Sequence, residues 1–236
     1  KWYDFGIGKG GNILALAAEL YHSENVAYLL ERIAERTPYI RPATFSFGEQ
    51  KTHNSSFQDV QVGELSSPAL IDYLRERGIN IELAKRECKE LRFENNGKTY
   101  FAIGFPNMAG GYELRNHYFK GCIAPKDITH IRQQGEQRAV CYLFEGFMDY
   151  LSFLTIRVDN NPDEPRTNEQ DYMVLNSVTN LSKAEQLLRP YSRIGCFLDN
   201  DQAGQRAYEN MKKIFGNRLQ DMSHHYKEHK DLNEYL

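Results

Sequence analysis

Apolar positions along this chain follow three successive rhythms. Near the start they recur every three or four residues: Ile13, Leu14, Leu16, Ala17 and Leu20, then Val26, Leu29, Leu30 and Ile33. That spacing predicts helices over 12–20 and 24–35 with these residues on inner faces, and Ser23 stands where it can cap the second. Ahead of them the aromatic run at 2–5 predicts a strand, and Gly8-Lys9-Gly10-Gly11 a structural turn. From 37 to 66 no period survives; Pro38, Pro42, Gly48, Gly63 and several serines predict a linker, leaving Phe45, Phe47 and Phe57 to pack elsewhere. A second rhythm begins at Pro68, with Ser67 as its expected cap: a short helix to Gly78, another over 81–88, then β-like pieces at 90–94, 98–105 and 111–115. Asn95-Asn96-Gly97 supplies a tight turn between the first two, and 118–125 offers a further edge. From 139 onward short apolar runs alternate with helical segments. Strands are expected at 139–144, 172–175, 193–198 and 222–226, helices at 148–156, 182–188 and 202–215, and a surface loop over 158–170. Four strands alternating with three helices predict a parallel α/β sheet with right-handed crossovers.

Length and composition agree with a globular protein. The 236 residues are 41% hydrophobic and 26% charged, ordinary proportions for a chain with a packed core. No apolar run approaches the roughly 20 residues that cross a membrane. The chain opens at Lys1 with no charged-then-apolar leader and reads as a segment of something longer without an export signal. Four cysteines stand far apart with no Cys-Xaa-Xaa-Cys pair, and Cys141 and Cys196 fall inside expected strands as small buried thiols, so a reducing cytoplasm is expected. The net charge of -3 does not advertise nucleic-acid binding. Between 97 and 126, however, Lys98, Arg115, Lys120 and Lys126 face Glu113 alone, a local excess of +3.

The candidate chemistry sits at two strand ends. Phe144-Glu145-Gly146-Phe147-Met148-Asp149 and Phe197-Leu198-Asp199-Asn200-Asp201-Gln202-Ala203-Gly204 each follow an expected strand and lead into an expected helix. Ligand sites of parallel α/β sheets gather at that edge. Residues two apart in extended backbone share a face, so Asp199 and Asp201 are expected to point together. Convergent carboxylates need a cation between them, and an all-oxygen set favours a hard ion such as Mg²⁺. An isolated Asp-Xaa-Asp also reads as a helix cap. Asp231 lies beyond the fourth expected strand, either on this acidic edge or as another cap.

Glu-Gly-Xaa-Xaa-Asp followed by Asp-Xaa-Asp on consecutive strand-helix units resembles the Toprim domain of bacterial-type (DnaG-like) DNA primases, topoisomerases and some nucleases. The resemblance implies that Glu145, Asp199, Asp201 and Asp149 are catalytic, with Glu145, Asp199, Asp201 and Asp231 as ligands of Mg²⁺ (or Mn²⁺). Tyr73-Leu74 with Arg77-Gly78-Ile79 is similar to the helical entry of a primase core, and 100–116 resembles its small β-rich subdomain. Trp2 to Leu20 resembles the end of a primase zinc-binding domain. Asp4 and Ile7 stand where that domain has cysteines, so no zinc is expected. The implied organisation is a zinc-domain remnant at 1–36, a linker at 37–66, an α+β subdomain at 67–134 and a Toprim domain at 135–236.

The activity so implied is synthesis of RNA primers from ribonucleoside triphosphates on a single-stranded DNA template, and a mobile element or phage is the expected source. Lys98, Arg115, Lys120 and Lys126 would track phosphates, and a replicative helicase would be met through a region absent from this chain. Tyr118 or Phe119 could stack on a base. Asn233 stands where the family carries a second acid of its last pair. The same acids would serve a Toprim nuclease, and a non-catalytic nucleic-acid-binding module is the third reading.

Overall fold

The structure, a computed structural model, describes residues 2–4, 9–11, 13–23, 25–36, 57–95 and 97–236. These fall into two compact units, 1–53 and 54–236. The expectations about Ile7, Phe45 and Phe47 lie outside the described residues, as does the side chain of Asp4.

In the first unit β1 (Trp2–Asp4) pairs antiparallel with β2 (Lys9–Gly11), so part of the expected glycine turn is strand. Two helices follow, α1 (Ile13–Tyr21) and α2 (Val26–Arg36). Asn25, rather than Ser23, caps the helical first turn of α2: its Oδ1 accepts from the Tyr28 N–H at 3.2 Å. The Ser23 Oγ accepts from the Asn25 N–H instead. The inner faces are narrower than the spacing suggests. Ala17 and Leu29 are buried, whereas Ile13 and Leu20 are 61% and 65% exposed.

The second unit opens with a strand inside the expected linker, β3 (Phe57–Gly63). Then come α3 (Pro68–Glu76), α4 (Ile81–Glu87), β4 (Lys89–Asn95), β5 (Lys98–Pro106), β6 (Tyr112–Arg115) and β7 (Lys120–Ile123). The five strands form one antiparallel sheet in the order β3-β4-β5-β6-β7. Asn95 pairs with Lys98, which fixes the two-residue turn, and Gly97 takes the positive φ of 70° that such a turn requires. Ser67 does not cap α3 with its side chain. Its N–H and that of Ser66 donate instead to Glu90 Oε2 on β4, at 2.8 and 3.2 Å.

The remaining elements are β8 (Thr129–Ile131), β9 (Val140–Phe144), α5 (Phe147–Asn160), β10 (Asp171–Val174), α6 (Leu181–Leu188), β11 (Arg193–Phe197), α7 (Gln202–Phe215), β12 (Leu219–Asp221) and α8 (Leu232–Tyr235). Their sheet runs β12-β11-β9-β10-β8, parallel except for the unanticipated β8. Two expectations shift: α5 extends into the expected loop, and the last strand precedes 222–226, where Ser223–Tyr226 is a 3-10 turn.

The fold is thus an α/β, Toprim-type sheet flanked by helices, with an antiparallel α+β portion ahead of it. Its strands are apolar on both faces, as a covered parallel sheet demands. Phe144, Tyr172 and Phe197 pack with Tyr150 and Leu154 of α5 and with Leu70, Leu74 and Phe105 from the preceding portion. On the opposite face Cys141, Leu143, Ile194 and Cys196 meet Leu188 of α6 and Met211 and Phe215 of α7. Cys141 and Cys196 are buried free thiols, as their strand positions suggest. Among the described residues no helix is long and apolar enough to cross a membrane.

Candidate active site

Parallel register places the ends of β9 and β11 side by side, Phe144 opposite Phe197. The chain leaves each strand toward the same edge. Glu145 comes one residue after β9, and Asp199 two residues after β11. Glu145 Oε2 accepts from the Asp199 N–H at 3.4 Å, so the two acids meet across 54 residues of chain. Gly204 makes the second turn possible: a Cβ there would stand 2.1 Å from the Asp199 carbonyl oxygen.

These acids line a cavity of about 220 Å³. Asp149, from the first turn of α5, and Asp231, just before α8, line it too. Asp149 is buried and accepts from the Asn233 N–H at 3.3 Å. Asp231 reaches the cavity while also capping α8, its Oδ1 accepting from the Glu234 N–H at 2.7 Å. The intervening residue of the acidic motif secures this arrangement. Asn200 donates from its side chain to the carbonyls of Tyr226 and His229 and from its N–H to Lys230, tying the C-terminal segment to the end of β11.

Asp201 takes the other course foreseen for it. It is the N-cap of α7, its Oδ1 accepting from the N–H groups of Ala203 and Gly204 at 2.8 and 3.0 Å. It does not line the cavity, although its charge acts on both Glu145 and Asp199. Of the expected basic residues, Arg115 and Lys120 line the cavity, on paired positions of β6 and β7. Lys98 sits at the hairpin end of β5, and Lys126 lies after β7; neither is part of the lining.

Sequence reasoning missed several wall residues. Arg77 and Lys230 bring two more cations, and Glu113 and Asn176 add to the polar lining; Asn233, noted from the sequence as standing in place of a family acid, lines it too. Lys230 Nζ stands 3.6 Å from Asp199 Oδ2. Local signals existed only for Lys230, beside Asp231, and for Asn176, directly after a strand.

Crowded carboxylates in a half-closed cleft resist ionisation. Burial, then the Asp199 charge, pushes Glu145 up to about 7, against the Asp199 N–H and Lys120. Burial, then Asp231 and Asp199, pushes Asp149 up to about 7 as well. Asp199 is raised by burial and by Asp231, while Lys230 opposes the shift. Glu113 is raised by burial against the pull of the Cys122 thiol, Lys126 and Lys120. An all-oxygen donor set under such mutual repulsion has the chemistry of a hard-cation site. The side chains are not drawn together as a closed shell: among the described residues, no group of three or more His, Cys, Asp or Glu is arranged to hold a metal ion.

Residues 142–236 match the model of a family described as Toprim-like. Residues 59–124 match that of a domain of unknown function (DUF8464). No curated protein matches the chain. Among solved structures, the primase fragment of the bacteriophage T7 primase-helicase protein is 15% identical over 85% of this chain and 78% of its own, with a TM-score of 0.48. The Aquifex aeolicus primase (zinc-binding and RNA polymerase domains) is 13% identical over 93% of this chain and 66% of its own, with a TM-score of 0.42.

Proposed function

Because residues 142–236 form a Toprim-like domain, we propose that this chain is a primase-like nucleotidyltransferase that makes RNA primers on single-stranded DNA with Mg²⁺ or Mn²⁺. The observation that carries this reading is the convergence of Glu145, Asp149, Asp199 and Asp231 with Arg77, Arg115, Lys120 and Lys230 on one cleft. Acids and bases in one polar cavity suit a substrate that is itself a metal-bound polyanion.

Glu145 and Asp199 would hold the ion, with Asp231 and Asp201 adjoining and Asp149 acting from behind through its charge. When bound, the ion neutralises the triphosphate and stabilises charge that develops during in-line displacement at the α-phosphorus. Arg115 and Lys120 would bind and orient the phosphates from the β6-β7 wall. Lys230, 3.6 Å from Asp199 Oδ2, balances that carboxylate and would help to hold the phosphates from the same wall. Little covalent work falls to the protein; the residues position groups and balance charge.

The test is incorporation of labelled ribonucleotides on a single-stranded template by the wild type and by Asp199→Asn. Template-dependent extension that needs Mg²⁺ and vanishes in the variant supports the reading, and undiminished extension by Asp199→Asn refutes it. Fragmentation of DNA without nucleotides would instead select the nuclease alternative. A non-catalytic nucleic-acid-binding module is favoured by one observation, the Asn233 side chain locked to Arg77 where the family carries an acid. DNA binding that weakens steeply with salt, without Mg²⁺-stimulated turnover, would select that reading.

A further inference from the structure

Two residues of the cleft wall each carry a buried acceptor atom that has no donor. Glu113 on β6 is 4% exposed and Asn176, after β10, is 3% exposed; both line the cavity. Glu113 Oε1 and Asn176 Oδ1 are buried and make no hydrogen bond. Buried polar atoms ordinarily find partners, and one left without costs stability that a ligand donor would recover.

The identity of the free Asn176 atom is fixed by its neighbours. Asn176 Nδ2 donates to the Asp127 carbonyl at 2.9 Å and to Thr129 Oγ1 at 3.1 Å. The Thr129 hydroxyl spends its own proton on the Pro106 carbonyl at 2.7 Å, so toward Asn176 it can only accept. The amide therefore cannot be turned over without placing oxygen against oxygen. Its backbone is held at a φ of 61°, a left-handed conformation that glycine adopts more cheaply.

Glu113 and Arg115 lie two residues apart on one face of β6, roughly 7 Å along the strand, and Arg115 pairs across with Lys120. A phosphate on Arg115 and Lys120 thus leaves the next moiety of a nucleotide beside Glu113. Phosphate has no proton to give this acceptor pair at neutral pH. The nearest donor that a nucleotide can offer, one bond system away from its phosphate, is a sugar hydroxyl. Resting on the nucleotidyltransferase reading, we infer that Glu113 and Asn176 form a subsite that accepts hydrogen bonds from the sugar hydroxyls of the incoming nucleotide. Such a site favours ribonucleotides by leaving its own acceptors unpaired when a hydroxyl is missing.

The experiment is calorimetric titration of the full chain, with Mg²⁺ present, by ATP, 2′-deoxy-ATP and 3′-deoxy-ATP. The wild type should bind ATP about tenfold or more tightly than at least one deoxy analogue. Glu113→Ala and Asn176→Gly, the latter suited to the backbone there, should reduce ATP binding to the level of that analogue and leave the analogue unchanged. Glu113→Gln, which keeps an acceptor oxygen, should retain most of the preference. Equal binding of all three nucleotides to the wild type overturns the subsite while sparing the proposed function; this comparison decides the matter even if the variants fail to fold. A uniform loss for all three nucleotides in folded variants also overturns it. So does a preference that follows removal of the base amino group, in purine riboside triphosphate, rather than a hydroxyl. Failure of the folded wild type to bind any nucleotide removes the nucleotidyltransferase reading as well.

Discussion

Arg77 and Asn233 hold each other by two hydrogen bonds across 156 residues of chain. The Arg77 Nε donates to Asn233 Oδ1, and Asn233 Nδ2 donates back to the Arg77 carbonyl at 3.0 Å and to Ser152 Oγ at 2.8 Å. The pair clamps the C-terminal segment, which carries Lys230 and Asp231, against the end of α3 and the side of α5. An acid at this position could accept from Arg77 but could not make the two donations. The amide at 233 therefore makes a structural tie that an acid there could not complete.

Asn233→Ala should destabilise the chain by about 2–3 kcal/mol, because it removes the donor to the Arg77 carbonyl and to the Ser152 oxygen, whose own proton stays on the Met148 carbonyl, and leaves the Arg77 Nε without its acceptor. Asn233→Asp should be at least as damaging at neutral pH. It sets a second carboxylate near the buried Asp149, whose Oδ1 takes the residue 233 N–H. Chemical denaturation of the two variants checks this; an Asn233→Asp protein as stable as the wild type would mean that the clamp contributes little.

Asp199 and Asp201, two residues apart, should separate sharply when changed one at a time. Asp199→Asn removes one of the repelling charges that raise Glu145 and Asp149, so the metal-free protein should become more stable while Mg²⁺-dependent incorporation is lost. Asp201→Ala removes the cap of α7 and should cost about 0.5–2 kcal/mol. Paired melting curves and incorporation assays test the split, and a loss of stability in Asp199→Asn would contradict the repulsion described above.

Much of the α/β half was legible because its signals are local. Each apolar run after 139 ends in a turn, and each following helix repeats with the helical period. The strand Phe57–Gly63 was hidden because, beyond Phe57, its side chains are exposed on both faces and carry no alternation. The strand Thr129–Ile131 is too short to show a period, and the last strand, Leu219–Asp221, buries Leu219 alone. Tyr226, which made 222–226 look like a strand, instead donates its hydroxyl to the Leu198 carbonyl from a 3-10 turn. At the site, Glu145 and Asp199 were found from strand ends. Arg77 and Glu113 were not, since a wall assembled from distant segments leaves no spacing to read, whereas Asn233 was placed only through the family resemblance.

Gly204 is the backbone position on which the Asp199 turn depends most directly. A methyl group there would overlap the Asp199 carbonyl at 2.1 Å, and backbone cannot step aside as a flexible side chain does. Gly204→Ala should cost about 1–3 kcal/mol and displace Asp199 from Glu145. Mg²⁺-dependent activity should fall more than stability alone explains. Measuring incorporation well below the melting temperature separates the two effects, and full activity there would show that the turn tolerates the shift.

Acid should stabilise the metal-free cleft. Folding raises Glu145 and Asp149 to about 7, above their ordinary values of 4.5 and 3.8. Between roughly pH 4 and 7 the native state therefore keeps protons that the unfolded chain has released, and stability falls as pH rises through that window. Their contribution is fully present below the lower limit and gone above the upper one. Other carboxyls work the opposite way: Glu90 and Asp127 are lowered, Glu90 by the Ser67 and Ser66 N–H groups and Arg92, Asp127 by Lys183 and the Ile128 N–H, both against burial. Their stabilisation is lost as pH drops below about 4, so the two effects occupy different ends of the curve. In chelator, the melting temperature should decline from pH 5 to pH 8, and a Glu145→Gln, Asp149→Asn double variant should flatten that decline. Mg²⁺ added at pH 8 should restore stability to the wild type, since it favours the ionised acids, and should do little for the double variant. A wild-type melting temperature that rises from pH 5 to pH 8 in chelator would show that these carboxylates are not crowded as described.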